Sequence, residues 1–149
     1  MADHIDGPLY YERMGRTGPV MAFVHPNPMD QSCWIFQMAH MSTWFRCIAI
    51  DIPGYGRSPK ARPGLTMQDT AQGCWEVIDE VAHGEKAILV GCSVGSAVAT
   101  YMHHERPQGA SRRMGAAPCF ETHCFAMLLS MRPIAALPSG GALLFLQPE

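Results

Sequence analysis

The segment Gly91-Cys92-Ser93-Val94-Gly95 places a serine between two glycines two residues away on either side. That spacing suits a nucleophile on a sharp strand-to-helix turn, where neighbours must be small so that the serine Oγ stands clear of the sheet. A serine hydroxyl needs a base to attack at neutral pH, and the oxyanion that follows needs two pre-aimed donors. One donor is local: the Val94 N–H opens the next helix, where the dipole also favours negative charge. The second is expected from Val24-His25-Pro26-Asn27-Pro28. Asn27 is the donor there, because the flanking prolines carry no N–H. The alternatives are a plain glycine-rich turn at residue 93 and an ordinary proline-rich surface turn at residue 27.

A base is harder to find. After Ser93 the histidines are His103, His104 and His123, and the acids are Glu105, Glu121 and Glu149. His103 and His104 fall about 15 Å along the helix that leaves Ser93, at 1.5 Å rise per residue. His123, two residues after Glu121, is the remaining weak candidate base. Cys119, His123 and Cys124 match no zinc spacing, so neither a metal nor a cofactor is expected.

The elements that would position these groups alternate regularly. Leu9–Met14 half-alternates and reads as an edge strand; Val20–Val24 is continuously apolar, as a strand covered on both faces must be. Cys33–Met41 puts Trp34, Met38 and Met41 on one helical face, and Phe45–Ile50 is the next strand. Thr66-Met67-Gln68-Asp69 resembles a capping box opening a helix to about Ala82, with Trp75, Ile78 and Val81 or Ala82 at helical spacing. Ala87–Val90 is a buried strand, and Val94–Met102 a helix of small apolar residues. The order β, β, α, β, α, β, α implies parallel strands joined by right-handed crossovers.

Three ordered blocks carry a resemblance to the α/β-hydrolase superfamily, in its serine esterase, lipase, haloperoxidase-like and carbon–carbon hydrolase branches. His25-Pro26-Asn27-Pro28 is similar to the family's H-G-x-P loop, with Pro26 in place of the glycine. Asp51-Ile52-Pro53-Gly54-Tyr55-Gly56-Arg57-Ser58 resembles its D-x-x-G-x-G-x-S segment, and Gly91 to Gly95 its nucleophile elbow. The resemblance implies an α/β-hydrolase-type sheet with flanking helices, Ser93 as nucleophile, and the Asn27 and Val94 amides as oxyanion hole. His25, Gly91, Gly95 and Asp51 would support the elbow and loops, with Arg57 or Ser58 pinning the second block. Serine at position 93 argues against the dehalogenase and epoxide-hydrolase branches, which place aspartate there. The implied substrate is a small ester-like molecule.

The resemblance covers residues 9 to 106, and the chain divides accordingly. Residues 1–106 read as the N-terminal part of an α/β-hydrolase domain, and 107–149 as an atypical tail. Gly109 to Pro118 shows neither period 2 nor period 3.6, so no further strand is expected and the fold reads as truncated after the elbow helix. A coding frame lost near residues 107 to 109 and a truncated relative are the two explanations. Either leaves an open sheet edge suited to self-association, and leaves the family's acid and histidine missing. A noncatalytic binding module and a nonfunctional truncated product are therefore the alternatives to an active hydrolase.

Composition bounds the rest. In 149 residues, 11 Lys+Arg against 13 Asp+Glu leave no basic field for nucleic acid. With 16% charged residues, three Trp, four Tyr and six Phe, the chain has the means to build a core. No apolar stretch approaches the roughly 20 residues of a membrane span. Six cysteines without C-x-x-C pairs, and an N-terminus lacking a basic-then-apolar leader, point to a reduced, cytoplasmic protein.

Overall fold

The computed structural model describes residues 5–116. Its centre is strand β2 (Val20–Val24), whose five residues are at most 3% exposed. A strand buried on both faces must be apolar at every position, which is why its sequence does not alternate. Around it lie β1 (Tyr11–Met14), β3 (Arg46–Ile50), β4 (Ala87–Cys92) and β5 (Ala110–Ala116) in the order β1-β3-β2-β4-β5. Only β1 is antiparallel to its neighbour; β3, β2, β4 and β5 run parallel.

Three helices connect the parallel strands: α1 (Ile35–Met41), α2 (Met67–Ala82) and α3 (Val94–Glu105). Their placement follows from the direction of the crossovers. From β2 the chain steps through α1 to β3 on one side. From β3 it returns over β2 through α2 to β4, then continues through α3 to β5. Right-handed crossovers in opposite directions put their helices on opposite faces. Accordingly Val20, Ala22 and Val24 join Ile48, Ile50 and Leu89 in a core with α2 and α3, whereas Met21 and Phe23 join Cys47, Ala49, Trp34 and Met38 beneath α1. Between β2 and β4 the following connections diverge, and the carboxyl end of such a switch point is the usual binding position in open α/β sheets.

Helix α2 begins as its sequence predicts. Thr66 Oγ1 accepts from the Asp69 N–H at 3.1 Å, and Asp69 Oδ2 accepts from the Thr66 N–H at 2.9 Å, a complete capping box. It ends at His83, in the left-handed region with φ 50°. The α2 face is locked to α3 by Trp75, whose Nε1–H donates to the Met102 carbonyl at 3.0 Å. Arg106 lies over the same indole and pairs with Asp79 at 2.6 Å.

Several boundaries differ from expectation. The first strand starts at Tyr11 rather than Leu9, because Leu9 is drawn into the core over Gly73, where a Cβ would lie 3.1 Å from its Cδ1. The helix expected from Cys33 is split into a 3₁₀ turn, Gln31–Trp34, capped by Asp30, and then α1. The larger correction concerns the tail. A strand was not expected after the elbow helix, yet β5 pairs along β4 from Ala110↔Ala87 to Ala116↔Cys92. Pairing between backbones sets this strand: Ala87 N–H donates to the Gly109 carbonyl at 3.0 Å, and Ser111 is the extra residue of a bulge. The β4 edge that the sequence leaves open is therefore covered, and among the described residues the outer strands are β1 and β5.

The capping box yields a measurable consequence. Thr66→Ala removes the acceptor for the Asp69 N–H and should lower stability by about 1 kcal/mol in urea unfolding, with an unchanged denaturant slope.

Candidate functional site

Ser93 occupies the single residue between β4 and α3, with φ 53° and ψ −121°. A non-glycine residue there is strained by on the order of 1–3 kcal/mol, and persists only where its surroundings leave no alternative. The surroundings here are backbone. A Cβ on Gly91 would lie 2.3 Å from the Gly95 carbonyl oxygen, and one on Gly95 would lie 2.2 Å from the Val24 oxygen and 2.8 Å from that of His25. The first turn of α3 is thus seated directly on the ends of β4 and β2, which the register already sets side by side at Val24↔Gly91. Ser96 ties the turn back through its Oγ, which donates to the Gly91 carbonyl at 2.9 Å.

This close seating brings the two sequence-predicted donor segments together. Val94 supplies the first N–H of α3, and the loop after β2 departs from the residues that Gly95 touches. In that loop Pro26 accepts from the Met29 N–H at 3.0 Å, closing a turn around Asn27 and a cis Asn27–Pro28 peptide. Asn27 is exposed, and its Oδ1 accepts from the Tyr55 hydroxyl at 2.8 Å.

His25 is fully buried and both its ring nitrogens are engaged. The Ile52 N–H donates to Nε2 at 3.1 Å, so the proton resides on Nδ1, which donates to the Pro26 carbonyl at 2.9 Å. With no free lone pair, this imidazole joins two loops instead of abstracting protons.

Asp51, also buried, ends β3 in a second knot. Its Oδ1 accepts from the Gln31 N–H at 2.7 Å and its Oδ2 from the Arg57 N–H at 2.9 Å. Gly56, at φ 51°, lies against the same carboxylate; a Cβ there would fall 2.0 Å from Oδ2. Ser58 Oγ donates to the Asp51 carbonyl at 2.6 Å and accepts from the Tyr10 N–H at 2.9 Å. The carboxylate's charge is thus held by backbone donors of two loops, and Asp51 holds the loops after β2 and β3 in register. Arg57 contributes its amide to that knot, while its guanidinium lies over the Tyr10 ring.

Between these loops lies an open depression of 410 Å³, bordered by Pro28, Met29, Asp30, Cys33 and Tyr55. Burial, then the charges of Asp30, Cys92 and Asp51, push the Cys33 thiol up to about 12, so it stays protonated at neutral pH and offers no competing thiolate. Ser93 is not among the depression's lining residues.

His103 and His104 are exposed in the last turn of α3, remote from Ser93 along the helix. His123, Glu121, Glu149, Cys119 and Cys124 lie outside the described residues. Among the described residues no three His, Cys, Asp or Glu side chains gather as a metal ion would require, and no helix is long and apolar enough to cross a membrane. Sequence reasoning passed over Tyr55. Its signal was a hydroxylated aromatic between two glycines of a tight loop, but the partner lies 28 residues away.

Known proteins share the fold and part of the sequence. The chain is 28% identical over 117 residues to a pimeloyl-[acyl-carrier protein] methyl ester esterase of Proteus mirabilis, a match to 77% of this chain and 43% of that one. It is 30% identical over 104 residues to a haloalkane dehalogenase of Mesorhizobium japonicum, covering 70% and 33% respectively. Among solved structures, a thermophilic esterase from Thermogutta terrifontis superposes with a TM-score of 0.68 at 26% identity, over 72% of this chain and 39% of that one. The chain spans less than half the length of the curated relatives cited here. The model of the alpha/beta hydrolase family matches residues 21–148, most of the sequence and all three of its ordered blocks. On that match, and on the mixed sheet with its flanking helices, the chain belongs to the alpha/beta hydrolase family.

Proposed function

We propose that this chain carries the nucleophile-bearing part of a serine hydrolase that acts on a small ester through an acyl-enzyme on Ser93. The observation that carries the reading is the conformation of Ser93, at positive φ between two glycines whose α-carbons have no room for a side chain. A strained serine held in that way is what a nucleophile at a strand-to-helix turn requires. In the proposed reaction Ser93 Oγ bonds to the ester carbonyl carbon while its proton passes to a base. The Asn27 and Val94 amides donate to the resulting oxyanion, the alcohol leaves with a proton, and water then releases the acid.

The curated relatives include an esterase and a dehalogenase. Serine at position 93, in place of the aspartate expected of the dehalogenase and epoxide-hydrolase branches, favours the ester reading. The base is the missing part of the proposal. His25 is committed to Ile52 and Pro26, and the two histidines of α3 face solvent at its far end. With no other described histidine near Ser93, turnover by this chain alone is expected to be slow, retaining what the oxyanion donors and binding supply. Residues 1–106 hold the proposed machinery, and the tail from 107, though it begins the β5 pairing, is proposed to lack the family's acid and histidine blocks. No disulfide forms among the four described cysteines, which fits the reducing cytoplasm proposed for the chain. Self-association, if the chain uses it, would run through β5 or β1 as the outer strands.

Incubation with p-nitrophenyl acetate, followed by intact-mass and peptide analysis, should find one acetyl group on Ser93 and none on Ser93→Ala. Absence of the adduct in the folded wild-type chain overturns the reading and leaves a noncatalytic binding module.

The thiol pKa sets a second expectation. Because the Cys33 pKa is raised, its thiolate is scarce from pH 7 to 10 and appears only as pH approaches 12. Iodoacetamide at pH 8 should therefore alkylate Cys33 at least tenfold more slowly in the folded chain than in urea.

A further inference from the structure

Tyr55 has no role in the reaction as proposed, yet it closes a circuit between the two loops at the carboxyl end of the sheet. His25 Nε2 receives the Ile52 N–H, the Ile52 carbonyl receives the Tyr55 N–H at 3.1 Å, and the Tyr55 hydroxyl donates to Asn27 Oδ1 at 2.8 Å. Asn27 lies two residues after His25, so the circuit returns to its own starting loop. Tyr55 is itself held: its carbonyl accepts from the Ser58 N–H at 3.0 Å, and its ring meets the His25 imidazole edge-on at 5.4 Å.

Resting on the Ser93 reading for its consequence, we infer that Tyr55 is a positioning residue that locks the Asn27 carboxamide and, through it, the direction of the Asn27 N–H. The backbone supplies the reason. Prolines on both sides of Asn27 have fixed φ and no N–H, and the turn's internal bond, Met29 N–H to the Pro26 carbonyl, spans Asn27 without touching it. What remains free is rotation about the Asn27 N–Cα bond, which swings the side chain relative to the N–H. Holding Oδ1 at Tyr55 restrains that rotation, since any change in it must be matched by χ1 and χ2 to keep the bond. It also fixes the sense of the carboxamide, with the oxygen toward the phenol and both Nδ2 hydrogens turned away. Among the described residues the Tyr55 bond is the only side-chain hydrogen bond that Asn27 makes.

Asn27 is the only asparagine in the chain, so selective ¹⁵N-asparagine labelling of the full chain yields a single backbone amide and a single side-chain amide to observe. Tyr55→Phe keeps the ring against His25 and removes only the hydroxyl. Both Asn27 signals are expected to move in Tyr55→Phe, the side-chain amide because its carbonyl oxygen loses the phenol donor and the backbone amide because its orientation relaxes. In the p-nitrophenyl acetate reaction, acylation of Ser93 should slow about tenfold at saturating ester with unchanged KM, as a loosened donor loses alignment without losing ground-state binding. Asn27→Ala should show the same defect, and the double variant should be no slower than either single one. Unmoved Asn27 signals in Tyr55→Phe overturn the lock whatever the rate does. Defects that multiply in the double variant overturn it too, because Tyr55 would then act by another route. If wild-type Ser93 takes no acetyl group, the nucleophile reading falls, and the Asn27 signals decide the lock on their own.

Discussion

Backbone meets backbone at the carboxyl end of this sheet. The first turn of α3 lies against the last residues of β4 and β2 so closely that a methyl group at position 91 or 95 would collide with a carbonyl group. Everything else at the site follows from that approach. It forces residue 93 into a conformation that only a sharp turn uses, directs the first free N–H groups of α3 beside the loop leaving β2, and requires β2 and β4 to be adjacent although α2 and the whole of β3 intervene in sequence. The apolar faces of the sheet serve the same end. With α2 and α3 covering one face and α1 the other, β2 is held against β4, and the turn from β4 into α3, seated on both strands, inherits that rigidity.

A second tier of organisation holds the loops, and it is built from buried or half-buried polar side chains bonded to main-chain groups. Asp51 collects N–H groups from Gln31 and Arg57, His25 bridges Ile52 and Pro26, and Ser58 joins Asp51 to Tyr10. Buried polar groups of this kind are costly to leave unpaired, so each specifies one arrangement of its loop rather than merely favouring it. The resulting frame ties loops rather than helices or sheet, and at its His25 end the main chain lies against Gly95, two residues after the strained serine.

How far the sequence reveals this depends on whether the signal is local. Strands β2 and β4 were legible because their burial demands uninterrupted apolar residues, and α2 because Thr66 and Asp69 announce its start. The turn at Ser93 was legible from two glycines at fixed spacing. Ala110–Ala116 was not, since Ala-Ser-Arg-Arg-Met-Gly-Ala carries no strand pattern, while backbone pairing places it along β4. The commitment of His25 Nε2 and the tie from Tyr55 to Asn27 were equally hidden, because each depends on a partner 27 or 28 residues away that only the fold brings near. Side-chain type suggested that these residues mattered, while their roles emerged from what they touch.

The central position of β2 also shapes how the molecule is assembled. Its neighbour on one side, β3, begins 26 residues later, with Val20 beside Arg46, but its neighbour on the other, β4, pairs Val20 with Ala87 across 67 residues of chain. Until that long loop closes, the most apolar strand of the protein has one satisfied edge and one open edge. The entropy of closure must be met before the parallel pairing returns any free energy, so the β2–β4 contact belongs to the late, slow part of folding. During synthesis the ribosome releases β2 well before β4 exists. A nascent chain of this design therefore spends its most aggregation-exposed interval waiting for the strand that carries its serine turn.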